Sequence, residues 1–339
     1  MGKFKNILMI VAVAAVCLSA CKKEEEDDDT KKSMSGSVKY DFPSYVLSGE
    51  YVTAVAGGII DPVHPTFKWI APGVIKDTIV GDRVTLHFPE DTLATFTVSA
   101  LALCEGYYTT SSSVEVTTVD TSFNASLKGI VRSGKSVRDE RDGHVYGYVT
   151  LGKLDWFSQN LAYAGGGVPF MSSPVTWSMF GYFYHWDDLT GGESRHGLGC
   201  GPRGMCPEGW TVPTNEDWED LAAAMNGGES LPFADNWVGL GEKASADAVF
   251  QSDRMWAYSP DNGHTNDFGW NGIPMGYTAN DHGEFLSSRN YGFWWSASEK
   301  NPGQAYYRYI YEDLSYFPMN YASKSDFGAS VRCVRLATR

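Results

Sequence analysis

The side chains able to do chemistry in this chain are few and dispersed. Seven histidines are present, but no His-x-x-x-His or His-x-x-Glu-His spacing places two imidazoles on one helix face for zinc. No Gly-x-Ser-x-Gly marks the strained turn of a nucleophilic serine. Oxygen ligands crowd one loop, Ser259 to Asp267, where Asp261, Asn262 and Asp267 stand close together. That density suits a calcium loop, and it suits a solvated, turn-rich loop better. Aromatic rings with polar neighbours form the other group: Trp256, Trp270 and Trp294, then Tyr307, Arg308, Asp313, Asn320 and Tyr321. Aromatic and Arg side chains dominate binding surfaces, so these are the candidate ligand contacts; the alternative is that they fill a core and its rim. No cofactor is implied, and the reading is of a binding protein rather than an enzyme.

These residues must be positioned by a helix and two late strands. Thr214 is placed to cap a helix, with Asp217 three residues later to return the bond. Glu216 and Asp217 put negative charge in the first turn, where it offsets the helix dipole. Trp218, Leu221, Ala222 and Met225 recur at helical spacing, and Asn226-Gly227-Gly228 stops the run. Ala305 to Tyr311 and Ser330 to Leu336 read as strands. Trp294 and Trp295 adjoin, so in a strand they face opposite sides; one is core, and the other is a possible stacking surface.

Three stretches in order, Cys206-Pro207-Glu208-Gly209-Trp210-Thr211-Val212-Pro213 with the helix after it, Trp294-Trp295-Ser296-Ala297-Ser298-Glu299, and Ser330-Val331-Arg332-Cys333-Val334-Arg335, resemble the Fibrobacter succinogenes major paralogous domain, a surface-protein module of Bacteroidetes and Fibrobacteres. Asp139 to Tyr146, Lys153 to Tyr163, Tyr182 to Trp186 and Asn266 to Tyr277 resemble its other motifs. The resemblance implies a C-type-lectin-like α+β fold over 136–339, whose first and last strands meet. It does not extend to the calcium-dependent sugar site of ordinary C-type lectins: Ser296-Ala297-Ser298 follows Trp295, and the nearest loop reads Glu299-Lys300-Asn301-Pro302. A related fold houses sulfatase-activating enzymes with a redox cysteine pair, and Cys200 and Cys206 imitate that spacing. As the family reads, however, Cys206 is structural.

Six cysteines are present. On residue types alone, Cys104, Cys200, Cys206 and Cys333 allow several pairings. The family positions of Cys206 and Cys333 imply that these two are joined. Cys200 competes for the same partner, and Cys104 is expected as a buried apolar residue on a strand.

The 339 residues are enough for two domains and a tail. Hydrophobic content of 43%, charged content of only 20% and 36 glycines suit turn-rich β-structure. A net charge of -14 argues against nucleic acid. Residues 1–20 read as a signal peptide: Lys3 and Lys5, an apolar run from Ile7 to Leu18, then Leu18-Ser19-Ala20-Cys21, which looks like a lipobox with Cys21 as the lipidated residue. The stretch 21–36, rich in Lys, Glu and Asp, is a solvated, disordered tether. It also resembles the Bacteroidetes lipoprotein export signal, which implies an outer-membrane anchor facing outward. Residues 37–120 hold alternating β-branched runs separated by turns and resemble a PKD or Ig-like β-sandwich, expected as a spacer. Residues 121–135 are expected as a linker. The function that follows is a surface lipoprotein binding a glycan or a surface protein; the alternative is a structural part of a surface assembly such as a fimbrial tip.

Overall fold

The computed structural model describes residues 31–120, 127–232, 236–250, 253–257 and 260–338. The expected leader, the lipidation site Cys21 and most of the charged tether lie outside these residues.

The first domain is a β-sandwich. One layer has five strands in the order Tyr45–Leu47, Thr110–Val119, Thr95–Leu103, Thr66–Ile70 and Ile79–Val80. The facing layer is made of two antiparallel pairs of strands distant in sequence, Ser35–Lys39 with Gly57–Asp61 and Tyr51–Val55 with Arg83–His87. Alternation decides which side chains go inside: Val84 and Leu86 are buried while Arg83, Thr85 and His87 are exposed. Val98, Ala100, Val116 and Trp69 meet them from the other layer in one core. Trp69 is fully buried and donates from Nε1 to the Gly81 carbonyl at 3.0 Å, so it is a core residue. Cys104 departs from expectation. It follows the strand Thr95–Leu103 and is a half-buried free thiol.

The helix Asn215–Met225 forms as its sequence dictates. Thr214 Oγ1 accepts from Asp217 N–H at 3.2 Å, and Asp217 Oδ2 accepts from Thr214 N–H at 2.8 Å, closing the capping box. Gly228 N–H then bonds to the Ala223 carbonyl past the helix end, with Gly227 in the left-handed region. The buried face carries Trp218, Leu221, Ala222 and Met225.

Two antiparallel sheets flank this helix. In one, Ser136–Arg138, Val145–Leu151, Leu154–Phe157 and Val334–Leu336 lie side by side, so strands from near both ends of the head belong to one sheet. The final strand is shorter than expected: it covers only Val334–Leu336, and before it Ser330 makes a single bridge with Trp294. The other sheet pairs Tyr291–Asn301, Gln304–Tyr311 and Met319–Ser323. It is covered on both faces. Trp294 packs with Trp156, Trp218, Trp270 and Phe317, whereas Trp295 packs with Trp210, Tyr184 and the Cys206–Cys333 disulfide. Each buried Trp removes roughly 150–250 Å² from water, which makes these two clusters the main cohesive mass of the head.

The segment expected as a linker is in part built into the head. Leu127–Lys128 pairs with Val249–Phe250. Asn271 then holds the chain at Val131 with both ends of its amide: Oδ1 accepts from Val131 N–H and Nδ2 donates to the Val131 carbonyl, each at 2.8 Å. The sandwich also packs against the head. Tyr45 and Leu47 join a cluster with Phe170, Phe180 and Phe250, with ring centroids of Tyr45 about 6.1 Å from Phe170 and from Phe250.

Two histidines packed into the fold, His264 buried and His282 half-buried, make it sensitive to acid. His264 stacks on Trp256 at 4.5 Å, with Nδ1 2.8 Å from Ser245 Oγ. His282 stacks on His185 at 3.8 Å, with Nδ1 2.7 Å from Thr278 Oγ1. Burial pulls both imidazoles down from 6.5 to about 4. Below pH 6.5 the unfolded chain takes up these protons and the folded chain does not, so stability is lost as pH falls from about 6.5 to about 4. Asp217 opposes this trend. Burial raises it to about 6, against its bonds from Gly199 and Thr214 N–H, so acidification through that value favours the folded form. The expected result is a melting temperature that falls between pH 6.5 and 4, with a shallower slope in His264→Asn. Asparagine tolerates the left-handed backbone at that position, where φ is 46°. Parallel slopes would remove His264 from the account.

Candidate functional site

Strand alternation separates the candidate ligand residues before any packing is considered. In the sheet of Tyr291–Asn301 and Gln304–Tyr311, Tyr291 pairs with Tyr311, Phe293 with Tyr309 and Trp295 with Tyr307. These rings share one face. Trp294 pairs with Arg308 on the other. Arg308 is therefore inside: it is 1% exposed, lies 3.2 Å over the Trp237 ring and donates to the Phe317 carbonyl at 3.3 Å.

The expectation that Trp256, Trp270 or Trp294 offers a stacking surface is corrected. Trp256 is 1% exposed, Trp270 0% and Trp294 1%. Trp256 donates to the Ala246 carbonyl and Trp294 to Asn160 Oδ1, both at 2.9 Å, and Trp270 packs edge-on against Trp294. The physical reason is that helix and loops cover the second face of the sheet, which strand alternation alone does not reveal. Tyr307 is also buried, stacked on Phe327 at 5.1 Å. Asp313 is half-buried in the turn after the strand. Asn320 and Tyr321 are exposed on the edge strand Met319–Ser323, with Lys300 Nζ 2.9 Å over the Tyr321 ring. The candidate contacts thus do not form one site.

The oxygen-rich loop is corrected likewise. Its side chains alternate: Asp261 and Asp267 are exposed, while Asn262 and Asn266 are buried. Asn262 Nδ2 donates to the Leu314 carbonyl at 3.0 Å and its Oδ1 accepts from His264 N–H at 3.2 Å. The loop spends its amides on holding itself to the sheet. Among the described residues no three His, Cys, Asp or Glu side chains converge as a metal site.

Several concave surfaces remain among the described residues, and two of them bear on ligand contact. The first is a shallow groove of about 220 Å³ lined by Tyr291, Tyr309, Tyr311, Leu314, Tyr316 and Pro318. Tyr291 and Tyr311 lie 4.7 Å apart across the strands. Burial and the neighbouring Tyr291 raise Tyr309, so its hydroxyl stays protonated at neutral pH. The second is a larger cleft of about 630 Å³ between the 130–136 segment and residues 174–178, with Trp177, His144 and Gln159 in its lining. Neither was singled out in the sequence. The Tyr307-Tyr309-Tyr311 alternation signals the first. The cleft has no local signature, because its walls come from segments far apart in the chain.

The cysteines decide what the head shares with known proteins. Cys206 and Cys333 are joined, both fully buried, and Cys200 is an exposed free thiol. Residues 149–335, which contain the disulfide, the capped helix and the doubly covered sheet, match the Fibrobacter succinogenes major domain. The chain belongs to that family. No curated protein matches the chain. The Fibrobacter succinogenes major domain match begins within the strand Val145–Leu151. Gln159 and Trp177 lie inside the matched domain, whereas His144 and the 130–136 segment precede it.

Proposed function

We propose that this protein is a non-catalytic binding module held at the outer face of the outer membrane by a lipid on Cys21. The head, read as C-type-lectin-like, carries the binding surface. The sandwich, read as PKD or Ig-like, carries the head. The observation that supports the reading most is the character of the large cleft: aromatic rings, hydroxyls and amides line it on a wall clamped by Asn271. Rigid, mixed aromatic and polar concavities suit recognition of a glycan or a surface protein, because little ordering entropy is lost on binding. The Ser245–His264 pair does not support catalysis: Ser245 is fully buried and donates to the Gly241 carbonyl at 2.7 Å.

The location is tested by protease shaving of intact cells. The head should be cut from wild-type cells and be missing from the surface of a Cys21→Ala strain. An uncut head on intact cells contradicts surface display. Isolation of the protein as a stoichiometric part of a surface filament would favour the assembly-component reading instead.

A further inference from the structure

The cleft beside Trp177 has a lining that selects one ligand class. Its volume of about 630 Å³ falls within the roughly 300–1,000 Å³ of small-molecule sites. Trp177 is half-buried, with its ring 5.4 Å from the His144 imidazole. That contact braces one side of the indole, and its partial exposure leaves area on which a ligand can stack.

The polar groups are also fixed. Gln159 Oε1 accepts from Gly147 N–H at 3.5 Å, which turns Nε2 toward His144 Nε2 at 3.1 Å. An amide nitrogen can only donate, so His144 Nε2 accepts and its proton sits on Nδ1. Burial also lowers the His144 pKa, which keeps the ring neutral. Ser136 and Ser178 add hydroxyls that both donate and accept. Among the described residues the lining contains no carboxylate, and its one formal charge, Arg132, is already engaged within the chain. A cation finds no carboxylate here, and a multiply charged phosphate finds no cluster of bases. A ligand with apolar ring faces and many neutral hydroxyls suits this lining, whose remaining side chains include the apolar Ile130, Val131, Val145, Pro174 and Val175.

We propose that this cleft binds a short neutral saccharide, stacked on Trp177 and hydrogen-bonded by Gln159, His144 and the serine hydroxyls. The proposal rests on the binding-module reading and gives that module its ligand class. The cleft is preformed: Asn271 holds its wall at Val131, and Leu127–Lys128 anchors the same segment to Val249–Phe250.

The test is calorimetric titration of the full chain with neutral di- and trisaccharides of glucose, mannose and galactose, beside sulfated and uronic-acid oligosaccharides. Wild type should bind a related subset of the neutral sugars. Trp177→Ala and Gln159→Leu should each weaken that binding at least about tenfold, a change of about 1.4 kcal/mol, with unfolding midpoints measured for both. Tyr51→Ala, on the exposed face of the sandwich, should bind as wild type. Undiminished binding by both cleft variants, or preference for the acidic sugars, overturns the proposal. Silence across the sugars also overturns it. If the same chain then binds intact cell-surface protein, the module reading survives; if it binds neither, both fall.

Discussion

Replacing Arg332 with methionine is expected to destabilise the head by about 3–5 kcal/mol. Arg332 is fully buried, yet its partners are neutral oxygens. It donates to Asn160 Oδ1 at 2.8 Å, to the Trp270 and Asn271 carbonyls at 2.7 Å and to the Phe157 carbonyl at 3.3 Å, with its guanidinium 4.6 Å over the Trp270 ring. These partners belong to the strand Leu154–Phe157 with the turn after it and to the loop at 270–271, so Arg332, from the segment before the last strand, ties three distant stretches together. Burial pulls Arg332 down to about 9, still high enough to keep it a cation at neutral pH. Methionine fills much of the volume but leaves those acceptors unsatisfied, at about 1 kcal/mol or more each. Lysine should fail too, since one ammonium cannot span a planar fork of acceptors. Asn271 carries the wall of the large cleft, so Arg332→Met should also loosen that wall. Urea unfolding with a matched slope measures the effect; a loss below about 1 kcal/mol would contradict the account.

Loss of the Cys206–Cys333 bond should be nearly as severe. The two residues are 127 apart in sequence. Closing so long a loop restricts the unfolded chain by about 5 kcal/mol in the chain-entropy description, and measured losses of about 2–5 kcal/mol are usual. The double replacement Cys206→Ala with Cys333→Ala also removes two sulfurs from a packed core, so the full range is expected. Reduced wild type should match the double variant closely. Cys200→Ser should change nothing, because that thiol is exposed and unpaired. Equal unfolding midpoints for oxidised and reduced protein would contradict this reading.

The parts of the fold legible in the sequence are those that local chemistry determines. Thr214, Asp217 and the Gly227-Gly228 stop specify a helix with both ends defined, and the structure has that helix. The sandwich strands around Val84 and Val98 declare themselves by alternation. Trp294-Trp295 is harder. A strand apolar on both sides reads either as doubly covered or as half-exposed, and the choice depends on the helix Asn215–Met225, far outside the window of about 11–18 residues over which sequence periodicity is read. That ambiguity is why Trp256, Trp270, Trp294 and Arg308 looked available and are not. The Asp261–Asp267 loop misleads for a related reason: its asparagines are structural amides turned inward. The cleft was invisible because Val131, His144, Gln159 and Trp177 acquire a common purpose only through tertiary contacts, among them the Asn271 clamp.

The central claim, a head that binds without transforming its ligand, is tested most directly by immobilising the full chain and presenting a neutral oligosaccharide panel with and without a chelator. Bound sugars are then eluted and weighed by mass spectrometry. The account predicts retention of a coherent subset, indifferent to the chelator and recovered with unchanged mass. Sugars returned cleaved or modified, or binding abolished by chelation, would contradict it.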